Sequence, residues 1–146
     1  MLSEPIRGVL NDKHNIFASP DTSVSSAAKL MAKSKGTAVM VIDKKQLVGI
    51  FTESDAVFRV IAQDRDTKTT RLVDVMTKAP KTITPDEAYG FALLMMNENG
   101  FRHVPVVENG EPIGIVSMRN ALDPELEEFE AEAARREYIL RRRLAP

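Results

Sequence analysis

The 146-residue chain has no cysteine, no tryptophan and only two histidines, His14 and His103. Without a thiol there is no disulfide framework, no thiolate zinc site and no cysteine nucleophile. Two histidines leave little for a histidine-based metal centre. Aromatic residues are 5% of the chain and the formal net charge is −1. That gives neither a basic field nor an aromatic-laced basic surface for nucleic acid, and nothing to draw the chain to an anionic membrane. No apolar run approaches the ~20 residues that span a bilayer. The start, Met1-Leu2-Ser3-Glu4-Pro5, lacks the basic residues and apolar stretch of a secretion signal. These absences point to a cytoplasmic protein. Catalytic motifs are missing too: there is no Gly-x-Ser-x-Gly elbow, phosphate-loop sequence or His-Glu-x-x-His. The expectation is a protein that is not an enzyme, with no catalytic residues and no metal.

What is present is a unit of about sixty-five residues, written twice. Ser19-Pro20-Asp21 recurs as Thr84-Pro85-Asp86, and Gly49-Ile50-Phe51-Thr52 as Gly114-Ile115-Val116-Ser117, each shifted by 65. This period is too long for a solenoid and reads as two copies of a small α/β unit. In copy two, Thr84, Pro85 and Glu87 read as a capping box opening a helix. Ala88, Phe91, Ala92, Leu94, Met95 and Met96 would form its apolar face, and Asn99-Gly100 its stop. His103 to Val107 reads as a strand, with Pro105 marking an edge or a strand start. Asn109-Gly110 is a tight hairpin turn, and Pro112 to Val116 the returning strand.

Copy one repeats this order. Ser19 is the expected cap of a helix carrying Val24, Ala27, Ala28, Leu30 and Met31 and ending near Gly36. Strands follow at Ala38 to Ile42 and Leu47 to Phe51. Their turn, Asp43-Lys44-Lys45-Gln46, has no glycine or asparagine, so a tight primed turn is not expected. A second helix would turn Val57, Phe58, Val60 and Ile61 inward, with Arg59 in solvent. Gln63 to Thr70 reads as a loop and Arg71 to Met76 as a short amphipathic turn. Gly49 and Gly114, inside strands, signal close backbone approach. Met31, Met40, Met95 and Met96 suit gap-filling in the core.

The duplicated order resembles a stand-alone CBS-domain pair, or Bateman module. The matching segments are Asp74-Val75-Met76-Thr77 with Pro80, Arg102 to Val107, Gly49 to Asp55 and Gly114 to Asn120. The expected fold is α/β: two tandem βαββα repeats with pseudo-twofold symmetry plus a C-terminal helix. The expected division is a first repeat over 1–70, a second over 71–122 and the helix over 123–146. The resemblance implies regulatory clefts for adenine nucleotides. One would join Thr52, Ser54 and Asp55 with Thr82, Ile83, Arg102, His103, Val104 and Pro105. Asp55 would hold the ribose; Thr82 and the backbone near Ile83 and Val104 would meet adenine. Thr52, Ser54, Arg102 and His103 would face phosphate. The second cleft would join Ala18, Thr37, Ala38 and Val39 with Ser117, Arg119 and Asn120. Asn120 stands where copy one has Asp55, which weakens ribose binding there.

The same residues carry a plainer reading. Thr52 and Ser117 each end a strand before a helix, where a hydroxyl caps in almost any fold, and Asp55 completes a capping box. A helix amino end also suits phosphate, and the two readings are compatible. His103 is equally readable as a half-buried histidine with one hydrogen bond, and His14 as a surface residue.

Asp123-Pro124 reads as a break, followed by one helix from Glu125 to Leu144. Leu122, Leu126, Phe129, Ala133, Leu140 and Leu144 form its stripe, with acidic residues in the first half and arginines in the second. It would fold back on its own copy or make a homodimer. The functional expectation is a sensor for AMP or a related adenylate (ATP, NAD(H) or S-adenosylmethionine) acting on an unknown effector protein or through its own oligomer. The alternative is a nucleotide-free adaptor using the C-terminal helix; a minor nucleotide-hydrolysing activity is a third.

Overall fold

The computed structural model describes residues 2–10 and 14–144, the side chains of 119–131 excepted. A short helix, α1 (Ile6–Val9), opens the chain. The first copy then runs β1 (Phe17–Ala18), α2 (Val24–Ser34), β2 (Ala38–Asp43), β3 (Gln46–Thr52) and α3 (Glu53–Asp55), which continues as a π-helix, Ala56–Ile61. Helix α4 (Leu72–Val75) and β4 (Thr77–Lys78) connect the copies. The second copy runs α5 (Tyr89–Asn99), β5 (His103–Glu108), β6 (Glu111–Ser117) and α6 (Met118–Leu144).

One sheet has the order β1-β2-β3-β4, with β1 parallel to β2 and the other pairs antiparallel. The other is the β5-β6 hairpin, to which Ile83 adds a parallel bridge at Val106. Both hairpins shift register at the same place, between Val41 and Ile42 and between Val106 and Val107. The architecture is the expected α/β tandem repeat with a C-terminal helix.

Each copy has its own core, but neither core is filled by its copy alone. Val24, Ala27, Val39, Val41, Phe51 and Val60 pack together, and the connecting segment adds Leu72, Val75 and Met76. Tyr89, Ala92, Met96, Val104, Val106 and Val116 pack together, and the N-terminal segment adds Ile6 with Val9 and Leu10 against it. Backbone bonds fix both insertions: Leu72 N–H donates to Thr22 O at 2.9 Å, and Ile6 N–H to Glu87 O at 2.9 Å. Arg7 adds exposed ion pairs to Glu108 and Asp86, which raise its pKa further. A Cβ on Gly49 would run into the Met76 side chain, and one on Gly114 would press on Leu10. The close approaches seen in the sequence therefore belong to these two inserted segments.

Several local expectations are corrected. Helix α2 starts at Val24 with Ser23 as cap, its Oγ accepting from Ser26 N–H at 3.1 Å; Ser19 forms a turn with Thr22 instead. Helix α5 starts at Tyr89, and Ala88 at its cap makes no side-chain bond. Residues 85–88 stay outside the helix because their backbone pairs with the N-terminal segment, through the Pro5–Ala88 bridge and bonds from Ile6 and Arg7. Helix α2 does end near Gly36, with Lys35 taking its left-handed stop (φ 53°). The first hairpin does close on two residues, Lys44 and Lys45, both left-handed (φ 50° and 64°). Two flanking strands with a buried face fix the register strongly enough to impose that turn on lysines. Val57, Phe58 and Ile61 are 49%, 69% and 64% exposed, and Phe91 and Leu94 about half, so only Val60 on the π-helix and Tyr89, Ala92 and Met96 on α5 point fully inward. Such small sheets cover a single narrow stripe of each helix. Finally, α6 runs unbroken through Asp123-Pro124. An interior proline costs a helix about 3 kcal/mol, and the Glu, Ala, Leu and Arg residues on either side carry it through.

Candidate functional site

The strand-to-helix step at the end of β3 is set by Thr52. Its Oγ1 accepts from Asp55 N–H at 3.3 Å, and Asp55 Oδ2 accepts from Thr52 N–H at 2.9 Å, a complete capping box. Asp55 is 9% exposed. Its other oxygen lies 3.5 Å from Arg59 Nε, and Arg59 Nη1 donates to Val75 O at 3.2 Å and Met76 O at 2.9 Å. Arg59 is thus engaged, not simply solvated. It ties the carboxylate to the segment that connects the copies.

A cavity of about 430 Å³ opens beside this box, within the ~300–1,000 Å³ range of small-molecule sites. Copy one contributes Ile50, Thr52, Glu53, Ser54 and Asp55; the connection contributes Thr77, Ala79, Pro80 and Lys81; copy two contributes Gly100, Phe101, Arg102 and His103. Its chemistry is mixed. Ile50, Pro80 and Phe101 give an apolar wall, while Arg102 and Lys81 bring two cations. Lys81 Nζ donates to Asn99 Oδ1 at 2.7 Å. Two first-turn amides are already engaged, Glu53 N–H with Thr37 O at 3.1 Å and Asp55 N–H with Thr52. An anion here would therefore rely on side chains more than on the helix end.

Of the residues expected in this cleft, Thr52, Ser54, Asp55, Arg102 and His103 meet in one cavity. Thr82, Ile83, Val104 and Pro105 do not line it. Both backbone groups of Ile83 are engaged in the sheet, donating to Pro105 O and accepting from Val107 N–H, and Val104 is fully buried. Thr82 and Ile83 border a separate depression of about 360 Å³ beside Phe91, Val107 and the Asn109-Gly110 turn. The sequence reading missed Glu53, Ala79, Pro80, Lys81 and Phe101.

His103 Nε2 sits 2.8 Å from Thr37 Oγ1. This bond crosses between the copies, joining a residue of one expected cleft to a residue of the other. Burial, with the Arg102 charge beside it, pushes the imidazole pKa down to about 4. At neutral pH His103 is uncharged and brings no positive charge to a phosphate. In the second expected cleft, Ala38 and Val39 are buried in β2, Ala18 and Thr37 are half-buried, and Ser117 ends β6. The side chains of Arg119 and Asn120 lie outside the described residues. Among the described residues no cluster of His, Asp and Glu suits a metal ion, and no helix is long and apolar enough to cross a membrane.

A duplicated α/β unit with a cavity walled by both copies is the class that fold and site define. The profile described as CBS domain matches residues 6–62 and 72–124. The chain belongs to the CBS domain family and carries a pair of these domains. The mitochondrial CBS domain-containing protein CBSX3 of Arabidopsis thaliana is 31% identical over 134 residues, 88% of this chain and 65% of that protein. Two other curated relatives are spanned over only 15% and 22% of their length. The CBS domain pair of protein MJ0100, solved with 5′-methylthioadenosine and S-adenosyl-L-methionine, is similar with a TM-score of 0.73 at 27% identity, over 81% of this chain and 96% of that one. CBS domain protein PAE2072 from Pyrobaculum aerophilum, complexed with AMP, shares the fold with a TM-score of 0.73 at 22% identity, over 80% of this chain and 89% of that one.

Proposed function

We propose that this chain is a cytoplasmic regulatory module, not an enzyme, that binds AMP or a related adenylate in the cavity between its two CBS domains. ATP, NAD(H) and S-adenosylmethionine share the adenosine part and are the alternatives to test beside AMP. The observation that carries this reading is that one cavity takes a buried carboxylate, Asp55, from the first copy and a cation, Arg102, from the second. A carboxylate is acceptor-only and suits a pair of ribose hydroxyls. The guanidinium fork suits phosphate oxygens, with Lys81, Thr52 and Ser54 alongside. The wall of Ile50, Pro80 and Phe101 suits the flat adenine. His103 serves as a neutral hydrogen-bonding group. The adenosine ligands of the MJ0100 pair support the ligand class. Repeats over 1–70 and 71–122 with a C-terminal element over 123–146 remain our working division. The module acts on an effector protein or through its own homodimer, by binding one arrangement of the copies better than another.

Calorimetry with AMP tests this. Asp55→Ala should weaken binding at least tenfold, while Asn120→Ala should change it less. The opposite order would overturn the assignment to this cleft. A nucleotide-free adaptor is favoured by one observation, the fully exposed end of α6. A thermal shift separates the two. A ligand at 100 times its Kd adds ~2.7 kcal/mol of stability, and no shift with any adenylate would leave the adaptor.

A further inference from the structure

Helix α6 spans 27 residues, about 40 Å at 1.5 Å per residue. Every side chain from Glu132 to Leu144 is exposed, so this end does not fold back on its own copy. Tyr138, Ile139, Leu140 and Leu144 are among these residues, 62%, 49%, 57% and 82% exposed. A lone helical stretch of this length is marginal in water. The ion pairs along it, Glu132–Arg136 at 3.2 Å and Glu137–Arg141 at 2.6 Å, add only ~0.2–0.5 kcal/mol each. The apolar residues need a covering surface.

The charge pattern says which. Residues 125–132 hold five glutamates and no base, and residues 133–144 hold five arginines and one glutamate. Turned end for end, the helix is its own electrostatic complement. A parallel twin would set glutamates on glutamates and arginines on arginines. An antiparallel twin sets each acidic half on an arginine half. The apolar spacing agrees. Reversed about Ala134 and Arg135, Phe129 falls level with Leu140, and Leu126 falls one residue from Leu144. Ala131, Ala133 and Ala134 occupy the middle, where small residues let two helices approach closely.

We infer that α6 pairs antiparallel with α6 of a second copy and forms the homodimer contact of this protein. The inference rests on the homodimer named above and not on the nucleotide. Native mass spectrometry of the full chain should show a dimer. Joint replacement Arg141→Glu, Arg142→Glu and Arg143→Glu makes both ends of the helix acidic and should raise the dimer dissociation constant at least tenfold. Adding Glu125→Arg, Glu127→Arg and Glu128→Arg to the same chain should restore the dimer. Circular dichroism melts confirm that each variant is folded. Because the chain has no cysteine, crosslinking reads the direction independently. Ala134→Cys should form a disulfide with its own twin. Leu144→Cys should not, yet should crosslink when mixed with Leu126→Cys. Efficient self-crosslinking of Leu144→Cys would overturn the antiparallel arrangement. A dimer unaffected by the three glutamates would move the contact to another surface, such as that around Phe58. A monomeric wild-type chain would sink the homodimer itself, while any bound nucleotide mass in the same spectrum reports separately on the cleft.

Discussion

Ser23 and Ala88 stand 65 residues apart at the start of matching helices, with nearly the same backbone, φ −70° and ψ 152° against φ −69° and ψ 142°. One caps its helix with a side chain and the other does not. The hairpin turns match in the same way: Lys44 and Lys45 at φ 50° and 64°, Asn109 and Gly110 at φ 52° and 81°. Met76 lies against Gly49 where Leu10 lies against Gly114. In each pair the backbone path is kept while the side chain varies. The path needs only a residue that tolerates it, whereas ligand chemistry needs a particular group. The copies therefore diverge most meaningfully where Asp55 faces the cavity and its counterpart in sequence is Asn120, and where His103 matches Ala38.

The matched insertions are the place to strain the comparison hardest. Leu72 and Ile6 are both fully buried, one in each core, so Leu72→Ala and Ile6→Ala should each cost about 2–5 kcal/mol in urea unfolding. A loss from one substitution only would mean the cores are not equivalent. His103 gives the next effect, and it belongs to the second copy alone. Its pKa is about 4 in the folded chain against about 6.5 unfolded. The unfolded chain thus binds the extra proton between these values. Stability is fully present above pH 6.5 and falls as pH drops towards 4, by up to about 3 kcal/mol. Unfolding of wild type and His103→Gln across that range should show the difference shrinking as the pH falls. Gly49→Ala should cost about 1–3 kcal/mol, because Met76 is buried and has little room to move. Gly114→Ala should cost less, since its nearest neighbour is a terminal methyl of Leu10 at 3.1 Å. The smallest effect is a gain. Ala88→Ser transplants the copy-one cap and should raise the thermal midpoint by the equivalent of ~0.5–1 kcal/mol.

Features made by neighbouring residues were legible in the sequence. The 65-residue offset located both hairpins, and Thr52 to Asp55 announced its capping box. The resemblance to a CBS-domain pair, not the offset, implied one cleft for Thr52, Ser54 and Asp55 with Arg102 and His103. What was hidden is non-local. Ala88 and Tyr89 begin a helix only because the N-terminal segment engages the backbone just before them. Lys81 reaches the cavity by the route of the connecting chain, and Phe101 from the loop between α5 and β5, where copy one has no aromatic residue. Arg59 looked solvated because its acceptors, Val75 O and Met76 O, are sixteen and seventeen residues away. One signal was present and unread: Ile6-Arg7-Gly8-Val9-Leu10 parallels Leu72-Val73-Asp74-Val75-Met76 at an offset of 66. It marks the two inserted segments as copies of each other.

Those insertions set the order in which this protein is completed. The first core has all its residues once the chain has been made to Met76, and they lie close together in sequence. The second needs Ile6 to meet Val104, Val106 and Val116, about a hundred residues later. Such distant closure is slow. A chain emerging from the ribosome would hold its first repeat ready while the residues around Ile6 wait, and a cut between the repeats would leave both fragments short of a wall. The segment around Ile6, made ahead of both repeats, is among the last to dock.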